Sequence, residues 1–235
     1  MRNLKILILL LIASSAFSMG LRSFVALPVQ KNHFVGRVLY DSSKDTNIDT
    51  LTTSLMYGID PKQTVIVAMP YRLSPAGANR QGDVSVLYRY TIMRKDSKWG
   101  TKRLGLLGGG VIPTENSRDG ALQAGFVYTY FIGKNEIDVD AIYQKGLNNR
   151  LNSGKYDISW QHRLFPVVRP DWGLSYEINS IVELNGRYMQ GNSITHQVTL
   201  GVQLINPRWV LEGGIVKDIN NAHDTNYIAS FRYNF

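Results

Sequence analysis

Cysteine is absent from the 235 residues. That excludes a disulfide scaffold, a thiol nucleophile and any cysteine-ligated metal. It leaves the compartment open, because exported proteins also dispense with cysteine. Long apolar runs are missing as well. Hydrophobic residues make up 44% of the chain, yet past the N-terminus no stretch reaches the ~18 apolar residues of a membrane helix. Helical periodicity of useful length is lacking over the same span, and so are a metal-ligand cluster and a phosphate-cradling glycine loop. The formal charge is +8 and falls to +6 without Arg2 and Lys5. A basic balance suits nucleic acid, anionic lipid or an anionic solute. With no basic run interleaved with aromatics, nucleic acid is not expected as a partner, and no cofactor is implied.

What is present begins with an export signal. Arg2 and Lys5 form a positive start, residues 6–13 a short apolar core, and Ser14, Ala16 and Ser18 supply small residues for a signal peptidase. The core is too short for an anchor helix. Cleavage is expected after Ser18, or after Ala16, giving a signal over 1–18, a lead-in over 19–32 and one domain over 33–235.

That domain is written in period two. Over 172–185, Trp172, Leu174, Tyr176, Ile178, Val182 and Leu184 point one way, with Ser180 the exception; Gly173, Ser175, Glu177, Asn179, Glu183 and Asn185 point the other, with Ile181 the exception. A run this long, apolar on one face and charged on the other, suits lipid outside and water inside, whereas sandwich strands run to about 5–6 residues. About twelve such runs are expected, at 33–41, 50–59, 63–72, 83–94, 101–113, 121–132, 136–145, 155–165, 172–185, 195–205, 208–217 and 226–235. Tight links such as Asp60-Pro61-Lys62 and Gly133-Lys134-Asn135 alternate with longer polar ones at 73–81, 146–154 and 186–194. Short periplasmic turns alternating with longer external loops are the layout of a membrane barrel. The expected fold is therefore all-β: one up-and-down antiparallel transmembrane β-barrel with periplasmic termini, in a bacterial outer membrane.

The last run sharpens this. Tyr227, Ala229, Phe231, Tyr233 and Phe235 alternate to the final residue. A soluble protein avoids so apolar an edge. Outer-membrane lipid and the barrel-assembly machinery are the expected partners, with Tyr227, Phe231, Tyr233 and Phe235 as the assembly signal.

Several fragments carry a family resemblance: Ala26-Leu27-Pro28, Tyr57-Gly58-Ile59 before Asp60-Pro61, Met69-Pro70-Tyr71, Gly82-Asp83-Val84-Ser85 running into Tyr88-Arg89-Tyr90, and Gly108-Gly109-Gly110-Val111-Ile112-Pro113-Thr114. In this order the chain resembles the outer-membrane family labelled "MetA-pathway of phenol degradation", grouped with aromatic-compound transporters. Glu115 departs from the family's usual Gly after Pro-Thr. The resemblance implies an outer-membrane channel or transporter more than it implies phenol.

Selectivity would reside in inward ionisable residues. By parity these are Arg37, Asp83, Arg89, Arg103, Asp138, Asp140, Asp157, Arg163, Glu177, Glu183, Glu212 and Arg232. Such a mixed lining serves either a wet pore for a small solute, hydrophobic or aromatic ones among them, or a closed lumen whose charges pair. Catalysis is not expected. His162 and His196 fall on the lipid side, and His223 in an external loop lies far from Asp138 and Asp140. Only the nearness of Ser193 to His196 keeps a rim lipase in view. The outward tyrosines and tryptophans read as an interfacial belt.

Overall fold

The computed structural model describes residues 20–235 apart from 78, 169–175 and 221–223; the expected signal, Trp172 and His223 lie outside the described residues. The described chain forms β1 (Phe34–Ser43), β2 (Asp49–Asp60), β3 (Gln63–Ser74), β4 (Val84–Ser97), β5 (Gly100–Ile112), β6 (Ala121–Ile132), β7 (Asn135–Gly146), β8 (Ser153–Phe165), β9 (Glu177–Met189), β10 (Thr195–Ile205), β11 (Trp209–Asp218) and β12 (Thr225–Asn234). Each strand pairs antiparallel with its sequence neighbours, and β1 pairs β12 to close the barrel. At this seam the Phe235 N–H donates to the Phe34 carbonyl at 2.9 Å. Closure leaves no unpaired sheet edge, and in hydrocarbon every backbone polar group must be satisfied within the wall.

Parity sets the two faces. Val38, Leu55, Tyr88, Leu106, Phe126, Trp160, Val182, Leu200, Leu211 and Phe231 stand exposed on the outer wall, while Arg37, Arg89, Thr129, Asp138, Asp157, Glu183 and Arg232 are buried inside. Tyr227, Phe231 and Phe235 are exposed at the end of the chain, with the Tyr233 and Phe235 rings 4.8 Å apart.

Strand β9 differs from its expected bounds. It starts at Glu177 and continues to Met189, through residues read as an external loop. The reason is pairing. Gly186, Arg187, Tyr188 and Met189 find partners on β8, and Gly186 and Arg187 also on β10, so alternation persists where the polar composition suggested a stop.

The lead-in has a place that alternation does not foretell. Residues 20–32 thread the lumen of the barrel, leaving at the mouth where β1 begins. Leu21, Val25, Ala26, Leu27 and Val29 are buried there. Val25, Ala26, Leu27 and Val29 pack against Val35, Met56, Ile66, Leu87, Leu107, Val127 and Ile142, which supply one inward residue from each strand from β1 to β7. Leu21 packs on Ile181, Val216 and Ile228 across the barrel. Burying such side chains contributes roughly 1.5–3 kcal/mol each. The only strand-like pairing of the segment is an isolated parallel bridge of Lys31 to Gly58, among the described residues.

Candidate functional site: a plugged lumen

The segment is held mainly through its backbone. The Phe24 N–H donates to Asp140 Oδ2 at 2.7 Å, the Ala26 N–H to Thr129 Oγ1 at 2.8 Å and the Val29 N–H to Thr64 Oγ1 at 3.2 Å. The Arg22 N–H donates to the Glu183 carboxylate at 3.1 Å. In the other direction, Arg89 donates to the carbonyls of Val25 and Leu27 at 2.5 and 2.6 Å, and Arg37 to that of Leu21 at 2.6 Å. An extended segment inside a barrel has no neighbouring strand to satisfy its amides, so the wall must do so. Inward Thr, Asp, Glu and Arg are the side chains able to reach.

The inward charges fall into groups. On the periplasmic side Glu212 accepts from Arg37 at 2.8 Å, Arg232 at 2.5 Å, Ser230 at 2.6 Å and Gln203 at 2.8 Å. Further along, Asp138 and Asp140 of β7, Asp157 of β8 and Glu183 of β9 form an acidic patch. Lys155 reaches Asp157 at 2.7 Å and Asp140 at 3.3 Å, and Arg187 reaches Asp157 at 2.7 Å. Arg103 pairs with Asp96 at 2.7 Å, Arg163 is half-buried at the periplasmic end of β8, and Glu177 opens β9.

Asp83 sits one residue before β4, at the external rim. It clasps Arg118 at 2.9 Å and Arg150 at 2.6 Å, tying two external loops together. Burial alone would push its carboxyl up; the two guanidinium groups and the Thr114 N–H outweigh that and hold it below the usual carboxylate range.

Above the plug a vestibule of about 470 Å³ opens outward, with Arg22, Arg187, Asp41 and Asp224 in its lining. Below Arg22 the inward side chains are sealed: Asp138, Asp140, Asp157, Thr129 and Thr199 are 0% exposed. At this level the segment fills the lumen.

Sequence parity did not single out Lys155 and Arg187, which pair with the acidic patch, or Arg22, whose side chain reaches Gln197. Arg22 falls in the lead-in and Arg187 in a stretch read as loop. For Arg187 a signal existed, because it continues the inward series Glu183, Asn185. On the outer face the Tyr156 hydroxyl and His196 Nδ1 lie 2.7 Å apart.

No family model matches the chain, so the phenol-degradation resemblance stands on its sequence fragments alone, and no curated protein matches either. Solved structures do. The chain is similar to the COG4313 outer membrane channel from Pseudomonas putida F1, at 12% identity and TM-score 0.59, covering 89% of this chain and 98% of that one. It is similar to the NanC porin at 10% identity and TM-score 0.55, covering 84% and 98%, and to the KdgM porin at 9% identity and TM-score 0.54, covering 86% and 99%. At such identities the likeness is one of architecture: the chain has the fold of twelve-stranded outer-membrane β-barrels.

Proposed function

We propose that this protein is an outer-membrane channel for small solutes, closed in the state described by its own residues 20–32. The observation that carries the reading is how the plug is attached. It shares one isolated bridge with the wall and otherwise uses side-chain hydrogen bonds and apolar contacts, so it can leave without breaking a rung of the barrel. The fold shared with porins and an outer membrane channel supports the same reading.

The solute class follows from what withdrawal would bare. Val35, Met56, Ile66, Leu87, Leu107, Val127 and Ile142 supply an inward apolar residue from each of β1 to β7, and withdrawal would bare Arg89 among them, across from the acidic residues of β7 to β9. A hydrophobic or aromatic solute carrying a polar group fits a passage so divided. The family resemblance of the sequence fragments points the same way. A second reading, a permanently closed structural barrel, is favoured by the buried Arg37–Glu212–Arg232 group.

The absence of cysteine makes a clean test available. The pair Ala26→Cys with Thr129→Cys joins plug to wall where they already bond. Under oxidation, solute flux into liposomes should fall at least tenfold and return on reduction, with each single cysteine insensitive. A wild type that passes neither ions nor small aromatic solutes, oxidised or reduced, leaves the structural reading.

A further inference from the structure

One rung of the inner wall carries an imbalance. Across β7, β8, β9 and β10 the register aligns Asp138, Ser159, Glu183 and Thr199. Asp138 and Ser159 are 0% exposed and Glu183 is 1% exposed. Asp138 accepts from Thr129 at 2.5 Å and Gln161 at 3.0 Å. Glu183 accepts from the Arg22 and Ser23 amides, the Ser23 hydroxyl at 3.1 Å and Asn185 at 3.4 Å. Among the described residues, neither carboxylate has a cation within ion-pair distance; Lys155 and Arg187 are spent one rung away on Asp140 and Asp157, and the Arg22 side chain turns to Gln197 at 2.6 Å. Between the two carboxylates Ser159 Oγ is buried without a hydrogen-bond partner. Buried carboxylates and a buried orphan hydroxyl are costly unless something neutralises and satisfies them.

Something is delivered to this point by the chain itself. Gly20 presses against the rung so closely that a Cβ there would overlap Glu183 Oε1 and stand 3.0 Å from Ser159 Oγ. If the signal is removed after Ser18, the mature chain begins one residue before Gly20, about 3.8 Å further along the trace. Its α-amine then carries a full positive charge and three N–H donors, the complement of two carboxylates and one hydroxyl.

We infer that the Asp138–Ser159–Glu183 rung is a binding site for a primary ammonium, and that its occupant is the α-ammonium created by signal cleavage. Processing would then do more than release the protein. It would make the charge that docks the plug, and an unprocessed or differently cleaved chain would lack it. The inference rests on the cleavage position rather than on channel activity, so it stands or falls independently of the proposed function.

The test reads the amine directly. Protein extracted from outer membranes is sequenced from its N-terminus, then treated with a water-soluble acetylating ester across pH 6–10, folded in detergent and unfolded in urea. Acetylation of the α-amine is followed by mass spectrometry. The expected mature start is Met19. At pH 7.5 its amine should react at least tenfold more slowly in the folded protein, with the rate profile displaced to higher pH. Simple burial without a carboxylate partner would displace the profile to lower pH, because desolvation disfavours the ammonium. Glu183→Gln should abolish the upward displacement; Ser159→Ala, a milder change that keeps both carboxylates, should reduce it. A mature chain starting elsewhere, or a folded profile at or below the unfolded one, overturns the inference even if no variant folds.

Discussion

At the scale of single residues, Glu212 is the group on which the periplasmic half of the lumen depends. Its side chain is wholly buried and faces two guanidinium groups. Glu212→Ala would leave Arg37 and Arg232 buried with no carboxylate between them, at a cost of roughly 3–5 kcal/mol. Replacing all three with well-packed apolar residues should cost far less, because the desolvation of the ions is removed with them. Urea unfolding in lipid vesicles, followed by tryptophan fluorescence, reads the difference; a Glu212→Ala barrel as stable as wild type would mean that water enters and solvates the arginines. The sequence placed these residues inward by parity but gave no sign of which would pair. That depends on strand tilt and register around a closed barrel, which alternation does not encode.

At the scale of the strand, β8 and β9 are matched by a ring laid over a glycine. Gly186 pairs with Tyr156, and a Cβ at Gly186 would overlap the Tyr156 ring. An aromatic covering a cross-strand glycine restores the contact the glycine cannot make. Gly186→Ala should therefore destabilise the barrel by about 1–3 kcal/mol through overpacking, while in a Tyr156→Ala background the same change should cost little. Double-mutant analysis by urea titration checks this; additive effects would remove the ring-over-glycine contact as the cause. Strand existence and order were legible because period-two alternation and short turns repeat along the chain. The upper end of β9 was not, since Gly186 and Asn192 look like turn residues and the partner that keeps this stretch extended lies on β8. The exceptions to alternation were informative. Ile181, inward among polar neighbours, packs on Leu21 of the plug, and outward Ser180 donates to the His162 carbonyl at 3.4 Å. A misplaced apolar residue inside a wall of charges was the trace of a segment that strand patterns alone could not locate.

For the molecule as a whole, wall and plug are separable. All twelve strands pair with their neighbours through the ladder, and residues 20–32 add no continuous strand to it. Deleting 20–32 should leave a barrel that still inserts and resists heating in detergent, but with a conductance several-fold higher and noisier than wild type. A deletion that prevents insertion would show instead that the segment templates closure. The attachment of the plug also fixes the direction in which force can act. The segment is tethered to β1 at the periplasmic mouth, while Arg22, near its far end, forms part of the vestibule floor on the outside. Opening the lumen as proposed above therefore means drawing the segment back toward the mouth at which it is anchored, and its covalent tether to β1 limits how far it can travel.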